Sequence, residues 1–297
     1  MSERFAQIDL SKIPPPDAVE SLDYETILAA MLRDLIRRYP EFSALVESDP
    51  AIKVLEAAAY RELILRQRIN DAVRSVMLAT ATGRDLDNLA ALVSVKRAVI
   101  DLGAPEADPP IPPIYEDDDA LRRRAASALE GYPTAGPRGA YEFHALSASG
   151  LVKDAAVSSP APGLVRVAAL SHEGDGTPSA GTLADIEAAL NDEKIRPLTD
   201  TVEVVAGTVD QYDVTAVIYV EGGPDLESVQ LDATSAVTRY VRAQHALGAY
   251  VATSGIAAAL HRPGVRRGWI ESPAIDLNPG PEGAAYARTV SVSAERA

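Results

Sequence analysis

Histidine is the side chain most often used for acid–base chemistry near neutral pH, and this sequence contains four of them. They are His144, His172, His245 and His261. No two have the i, i+4 spacing that places two metal ligands on one face of a helix, so they predict no zinc site. His144 lies among apolar residues, which predicts a partly buried structural histidine rather than a catalytic one.

Two acidic segments contain oxygen ligands suited to a cation. Residues 172–177, HEGDGT, lack the alternating Asp or Asn ligands and the distal Glu of a calcium loop, and their glycines predict a turn out of a strand. Residues 116–119, EDDD, precede a predicted helix, where carboxylates satisfy free N–H groups and the positive end of the helix dipole. Neither segment predicts a metal site.

The most basic segment is residues 262–267, RPGVRR. Phosphate binding is one interpretation, and arginines that flank an exposed strand or pair with acids of a neighbouring subunit are the preferred one. The sequence contains no Walker loop and no GxGxxG, GxSxG or HExxH motif. We therefore predict no cofactor and no enzyme activity. A carboxylate-dependent hydrolase is the alternative because acids are numerous, although aromatic residues, at 5%, offer little surface for a sugar.

A turn-rich stretch, residues 132–147, contains two glycines that bracket a proline and an arginine. Its central residues are Gly136, Pro137, Arg138 and Gly139. The glycines frame a turn, the proline stiffens it, and no nucleophile–base pair accompanies them. We predict a structural joint between two helices rather than the rim of an active site.

Composition excludes several classes of function. The 297 residues are 47% hydrophobic, which is enough for a substantial core, and the formal net charge of −15 repels nucleic acid and anionic lipid. The absence of cysteine excludes disulfides and thiolate metal sites. We see neither an apolar stretch of transmembrane length nor a signal-peptide core at the first residues.

The first hundred residues predict an arm followed by helices. Prolines 14–16 favour an extended arm over residues 1–22. Asp23 is a good N-cap for a helix to Arg38, and a shorter helix is predicted over about 86–93. Between them, Asp49 and Pro50 begin a helix of about thirty residues, 51 to about 80, with Gly83 past its end. Residues 23–98 form the predicted helical region.

The long helix has two adjacent apolar stripes at 100° per residue. The first stripe comprises Ile52, Leu55, Ala59, Leu63, Val73 and Met77. The second stripe comprises Val54, Ala58, Leu65, Ile69, Ala72 and Val76. Two short neighbouring helices are too few to cover both, so we infer that part of this surface binds helices of another chain.

Polar residues interrupt the first stripe. Arg66 is interpreted as extending its guanidinium to water; alternatively Arg66 and Asn70 fix the register of an intermolecular bundle. The predicted partner-interface residues are Leu55, Leu63, Leu65, Arg66, Ile69, Asn70, Val73 and Val76.

A proline-rich linker, residues 99–118, separates this region from two predicted α/β units, 119–205 and 206–297, the second mediating lateral dimerisation. Helices are predicted from Asp118 or Asp119 to Glu130, and over 140–148, 182–191, 225–246 and 253–260. Strands are predicted over 153–158, 164–170, 201–206, 212–220, 265–271 and 289–292. Segments 152–161 and 265–274 are similar and both end in Ser-Pro-Ala, which suggests two related units. The predicted class is α+β: a long-helix bundle region, then two small mixed α/β units with short antiparallel sheets.

Many short segments, in order along nearly the whole chain, are similar to those of one known family. These are residues 17–20 with 22–23, 59–62 (AYRE), 65–70 (LRQRIN), 81–87 (ATGRDLD), 134–141 (TAGPRGAY), 173–177 (EGDGT) and 195–200 (IRPLTD). In these segments the chain resembles the baseplate protein J family of contractile-tailed phages.

The resemblance implies a structural baseplate wedge protein that joins wedges into a ring around the central hub and relays the trigger for sheath contraction. It implies a second copy and another wedge protein as partners of the N-terminal helices. It also implies neighbouring wedges as partners of the C-terminal units, and hub and sheath-initiating proteins beyond. The chain is then made in the bacterial cytoplasm and works in an assembled particle, either a virion or a genome-free tailocin. A wall hydrolase and a host-binding tail protein are the alternatives.

Overall fold

The structure is a computed structural model that describes residues 10–42, 49–133, 136–223 and 225–297. The described residues form two compact units, one ending at Lys96 and one beginning at Arg97. The predicted α+β class is confirmed, with helices throughout and small sheets of two or three strands. The finer domain boundaries remain predictions, and residues 1–9 of the predicted arm lie outside the described part of the chain.

The unit ending at Lys96 is helical. Its helices are α1 (Tyr24–Arg38), α2 (Pro50–Ser75) and α3 (Gly83–Leu92), after a single 3-10 turn at Leu10–Lys12. The predicted caps are confirmed. The Asp23 carboxylate accepts from the Thr26 N–H at 2.9 Å, and the Asp49 carboxylate accepts from the Ala51 N–H at 2.8 Å. These bonds satisfy N–H groups that the first helical turn leaves without partners.

The long helix ends earlier than predicted. α2 stops at Ser75, and the Thr80 hydroxyl donates to the Arg74 carbonyl at 2.7 Å, which satisfies a C-terminal carbonyl without a further helical turn. Gly83 lies past the end of α2, as predicted, and begins α3 with a φ of +53°. The sequence pattern did not reveal that α2 ends at Ser75, because apolar residues continue into the turn that follows.

The proline-rich segment is paired with itself. Strand β1 (Val99–Asp101) is antiparallel to β2 (Ile114–Tyr115), and Ala104 bridges Ile111 between them. Gly103, with a φ of +66°, lies so close to the Ile111 carbonyl that a β-carbon there would be 2.3 Å from the oxygen. The segment predicted as a linker therefore has a defined hairpin-like path.

The next elements are α4 (Asp118–Ser127), a 3-10 turn at Ala128–Gly131, α5 (Arg138–Ala148), β3 (Val152–Ala161), β4 (Leu164–Ser171), α6 (Ala180–Leu190) and β5 (Thr201–Ala206). The predicted cap of α4 was wrong by one residue, since Asp117 rather than Asp118 or Asp119 accepts from the Ala120 N–H. In the sheet, β4 is central, antiparallel to β3 and parallel to β5.

The last elements are β6 (Thr208–Val220), α7 (Leu226–Gln244), α8 (Thr253–Leu260), β7 (Val265–Ser272) and β8 (Gly283–Arg296). Here β6 is central, antiparallel to β7 and parallel to β8. The short sheets were predicted to be antiparallel, but each contains one parallel pair. Parallel pairing depends on where a helical connection returns the chain, and alternation within a strand carries no such information.

The similar segments 152–161 and 265–274 form β3 and β7, and both are edge strands antiparallel to the central strand. The next strands differ, because β4 is central whereas β8 is the opposite edge. β3 and β7 therefore occupy equivalent edge positions in the two sheets, whereas β4 and β8 occupy different positions.

Buried clusters among the described residues form the core of the unit from Arg97. One lies where α7 and α8 cover β6 and includes Val214, Ile218 and Val237. A second lies under α5 and α6. A third joins the two sheets where β5 continues into β6 through Gly207, at which a β-carbon would lie 2.6 Å from the Leu247 side chain.

Candidate partner interface

The second apolar stripe of α2 faces solvent. Exposed fractions are 69% at Val54, 62% at Leu65, 59% at Ile69 and 68% at Val76, which lies just past the helix end. The small residues between them, Ala58 and Ala72, are also exposed. Isolated exposed apolar residues are common, but a continuous stripe on one helix face is typical of an interaction surface.

The first stripe is more enclosed. Ala59 is fully buried, and three predicted interface residues, Leu55, Leu63 and Val73, are partly buried. α1 packs along α2, and its Ile27 is buried. The eight predicted interface residues therefore divide into an outward group, Leu65, Ile69 and Val76, a partly enclosed group, and the two polar residues.

Asn70 holds the N-terminal arm. The residue is 3% exposed, and its carboxamide makes two reciprocal bonds with the backbone of one residue. The Glu20 N–H donates to Asn70 Oδ1 at 3.0 Å, and Asn70 Nδ2 donates to the Glu20 carbonyl at 2.9 Å. The amide thus pairs with an extended segment as a neighbouring strand would. The sequence showed that this polar residue interrupts an apolar stripe, but not that residue 20 is its partner.

Arg66 is bound from two sides. Its guanidinium lies 2.9 Å from the Glu20 carboxylate and 2.7 Å from that of Glu62, one helical turn away. Hydrogen bonds from these carboxylates, Glu62 first, raise the pKa of Arg66. Arg66 and Asn70 therefore both bond to residues of their own chain. An additional role for them in fixing the register of an intermolecular bundle remains a prediction.

The predicted joint follows the 3-10 turn at Ala128–Gly131 and runs into the start of α5, which contains Arg138 and Gly139. Gly136 has a φ of +67°, and a β-carbon there would lie 2.6 Å from Pro197. At Gly139 a β-carbon would lie 2.8 Å from the Glu130 carboxylate. Pro137 is the N-cap of α5 and Arg138 its first residue. The two glycines thus allow close approaches that a larger residue would block, while Thr134 and Ala135 lie outside the described residues.

Burial lowers the pKa of three of the four histidines. His144 Nε2 lies 3.2 Å from the Gly131 carbonyl, and burial lowers the pKa of His144. Burial also lowers the pKa of His172 and of His245, whose Nδ1 accepts from Lys153 Nζ at 2.7 Å. His261 is exposed. Within the described ranges, no group of three or more His, Asp or Glu side chains is arranged to hold a metal ion.

The acidic segment has a structural role that the sequence showed only in part. Glu116 forms a buried ion pair with Arg124 and accepts from the Ala98 N–H at 2.7 Å. Arg97 donates to the Glu116 carbonyl at 2.8 Å and pairs with Asp118 at 2.7 Å. The run of acids was interpreted as helix capping alone. The sequence signal for the buried ion pair was Arg124, which lies two turns into α4.

The glycine-rich acidic loop is a turn. The Asp175 carboxylate accepts from the Thr177 N–H at 3.1 Å, and Ser179 caps α6. In the basic segment, Arg262 pairs with Asp232 at 2.8 Å, and the Arg267 guanidinium lies 5.3 Å from the centre of the Trp269 ring. No helix among the described residues is sufficiently long and apolar to span a bilayer.

Comparison with known proteins shows the class of protein to which the chain belongs. Residues 47–104 match the model of the Baseplate J-like N-terminal domain, and residues 133–206 match that of the Baseplate J-like central domain. The chain is also 42% identical over 277 residues to Baseplate protein J of Escherichia phage P2, which covers 91% of this chain and 92% of that protein. The chain belongs to the baseplate J family of phage baseplate structural proteins.

Proposed function

We propose that the chain is a wedge subunit of a contractile-tail baseplate, and that it joins wedges into a ring around the central hub and relays the trigger for sheath contraction. The observation that carries the proposal is the exposed stripe of α2, because such a helical surface must be covered by helices from elsewhere in a finished assembly. Membership of a baseplate family supports the same conclusion.

The stripe is suited to a helical seam. Its ends are formed by large aliphatic residues, and Ala58 and Ala72 between them let a second helix approach closely. Burying one Val, Leu or Ile side chain contributes roughly 1.5–3 kcal/mol, so a few such residues suffice for stable association. The seam residues proposed to meet a partner are Leu65, Ile69 and Val76, with Leu55, Leu63 and Val73 at the margin.

The proposed partners of this seam are a second copy of the chain and another wedge protein. The C-terminal units contact neighbouring wedges, and hub and sheath-initiating proteins complete the surroundings. Many modest contacts in a closed ring act together, so the ring is firm although each joint can rearrange. The net charge of −15 argues against nucleic acid as a partner.

We further propose that the chain acts in the assembled particle without enzymatic activity, and that its parts move as rigid bodies when the particle is triggered. The division proposed from the sequence, an arm over 1–22, helices over 23–98, a segment over 99–118 and α/β units over 119–205 and 206–297, supplies those bodies. The close packing of Gly136 and Gly139 at the start of α5 suits a rigid connection within one of them. This arrangement is equally suited to a virion and to a tailocin.

The test is Ile69→Asp in a co-expression pull-down with the other proteins of the baseplate wedge. The charge is forced into a dry seam, which costs roughly several kcal/mol, so we expect the wedge complex to be lost while circular dichroism and the unit from Arg97 remain unchanged. Tyr60→Asp is the matched control, because Tyr60 is 56% exposed and lies about half a turn away from Ile69 around the helix.

Equal loss with both substitutions, or complex formation unchanged by Ile69→Asp, would contradict the proposed seam. The alternatives have tests of their own. Peptidoglycan clearing by the purified chain, abolished by replacing one Asp or Glu, would replace the structural assignment with a wall hydrolase. Direct binding of the isolated chain to host cells would favour a host-binding tail protein.

A further inference from the structure

Polar contacts join strand β3 to the segment that follows α7. Lys153 Nζ lies 2.7 Å from His245 Nδ1, and the Leu247 N–H donates to the Asp154 carboxylate at 2.8 Å. β3 belongs to the sheet β3–β4–β5, whereas α7 covers the sheet β7–β6–β8. Leu247 is also part of the buried cluster that joins the two sheets, so these polar contacts lie at their junction.

The contact between Lys153 and His245 holds a single proton between its two facing nitrogens. An ammonium group has donors only, so His245 Nδ1 presents its lone pair, and the ring proton is then on Nε2. The next proton that the pair takes up makes both groups cationic and both facing nitrogens donors. Two such groups repel at 2.7 Å, so the contact must open.

The imidazole of His245 is enclosed on two sides. The residue is 8% exposed, and the Tyr286 ring lies edge-on with its centre 5.2 Å from that of His245. A β-carbon at Gly176 would lie 2.8 Å from His245 Nε2, so the loop before α6 packs directly against the ring. Turning Nδ1 out to water therefore requires the end of α7 to move.

Opposing influences act on the charge of His245. It is the C-cap of α7, where the helix dipole favours a cation, and the nearby Asp175 and Asp154 favour a cation as well. Burial first, and then Lys153, outweigh these groups and lower the pKa of His245. The folded chain therefore binds this proton less readily than the unfolded chain does.

A second histidine lies near the same lysine. Burial, and then Lys153, lower the pKa of His172, and Arg123 acts in the same direction. Asp117 and Glu116 act against them. Because acid charges His172 as well as His245, it adds a second positive charge beside Lys153 and strengthens the repulsion.

We propose that Lys153 and His245 form a pH-sensitive latch, which holds β3 against the end of α7 while His245 is neutral and releases it when His245 takes up a proton. The two sheets remain connected through β5 and β6 and through the buried cluster between them, so release loosens their junction without unfolding the unit. The latch lies within one chain and is independent of the α2 stripe.

The direction of the pH dependence follows from the lowered pKa. The latch stabilises the junction fully above 6.5, the ordinary pKa of histidine, because His245 is then neutral in both the folded and the unfolded chain. This contribution is lost as the pH falls from 6.5 through the lower pKa of the folded chain. Asp154 and Asp175 stay ionised over that range, because carboxylates titrate at lower pH.

The experiment is hydrogen exchange of the full chain, followed by mass spectrometry at about pH 7.5 and about pH 5.5 and corrected for the intrinsic effect of pH. The reporter is the segment 245–249, since the Leu247 amide is buried and bonded to Asp154. In wild type we expect its protection to fall at least about threefold at the lower pH.

His245→Asn tests the titrating group directly. The asparagine Oδ1 takes the place of Nδ1 as an acceptor for Lys153 but does not titrate, so protection of 245–249 should be equal at the two pH values. His144→Asn is the matched control, because burial also lowers the pKa of His144, which contacts the Gly131 carbonyl instead. This control should keep the wild-type response. Circular dichroism shows that each variant is folded.

Lys153→Met tests the other half of the pair. It keeps a long apolar stem and removes the charge, so the pKa of His245 should rise, as measured by NMR titration of the chain with labelled histidine. An unchanged pKa of His245 in this variant would overturn the inference. Equal protection of 245–249 in wild type at both pH values would also overturn it, as would a loss of protection in acid that persists in His245→Asn.

Discussion

Helices α2 and α7 bury their apolar residues very differently. α7 has 19 residues and buries Val229, Ala233, Val237 and Val241 at regular spacings of one turn. α2 has 26 residues, and its buried residues are Ala59 and Asn70. Both helices are amphipathic by sequence. α7 lies on a sheet of its own chain, whereas the outward stripe of α2 has no such cover within the described residues.

An apolar stripe on a helix indicates a surface that favours burial, but it does not indicate which segment or subunit buries it. A three-stranded sheet covers a whole helix face, and a single shorter helix such as α1 covers less than that. The excess surface of α2 is therefore available to other subunits, while α7 is committed to the core.

The largest expected effect tests that contrast with one substitution at two places. Val237→Ala removes fully buried methyl groups and should lower the free energy of unfolding by about 2 kcal/mol, measured by urea denaturation. Val54→Ala, at a position 69% exposed, should change it by no more than about 0.5 kcal/mol, because alanine also favours helix. Equal losses would mean that the chain itself covers the α2 stripe.

An intermediate effect is expected at the one fully buried polar residue of α2. Asn70→Ala removes both bonds to the Glu20 backbone, each worth about 1 kcal/mol, so the amide of Glu20 should exchange with solvent several-fold faster. Hydrogen exchange followed by mass spectrometry measures this. Asn70→Asp keeps the acceptor and loses the donor, so its Glu20 amide should exchange at a rate between those of wild type and Asn70→Ala. Unchanged exchange in Asn70→Ala would show that the arm is held by other contacts.

The smallest effect concerns acid stability in the unit from Arg97. Bonds from Thr253, then Tyr250, lower the pKa of Asp276 from 3.8 to about 2. A carboxylate with a depressed folded-state pKa stabilises the fold above its unfolded pKa, and that contribution is lost as pH falls from about 4 through 2. Asp276→Asn should therefore melt slightly lower than wild type at pH 6, with the gap closing by pH 2. A gap independent of pH would assign the effect to packing.

The corresponding group in the helical unit is Asp23, whose pKa is lowered mainly by the Thr26 hydroxyl. Asp23→Asn serves as the comparison for the acid experiment. Asparagine is also a good N-cap, so this variant keeps the cap and removes only the charge.

Local patterns predicted most of the elements. β5 and α8 agree with their predicted bounds, and the caps at Asp23 and Asp49 agree with theirs. Side-chain capping and turn chemistry act within a few residues, so they are legible in the chain itself. The end of α2 and the parallel strand pairs were not predicted, because each depends on contacts that a neighbouring segment makes. The cap of α4 was misplaced because Asp117, Asp118 and Asp119 are adjacent and each could cap the helix.

The candidate interface shows the same division. The sequence by itself determined that α2 has two apolar stripes, since helical periodicity follows from residue order. Tertiary structure alone decided that the stripe with Leu65 and Ile69 faces outward, and that Asn70 binds residue 20. It also decided that Lys153 meets His245 where the two sheets join. The physical reason is that periodicity is a local property, whereas burial and strand register are set by segments distant in the chain.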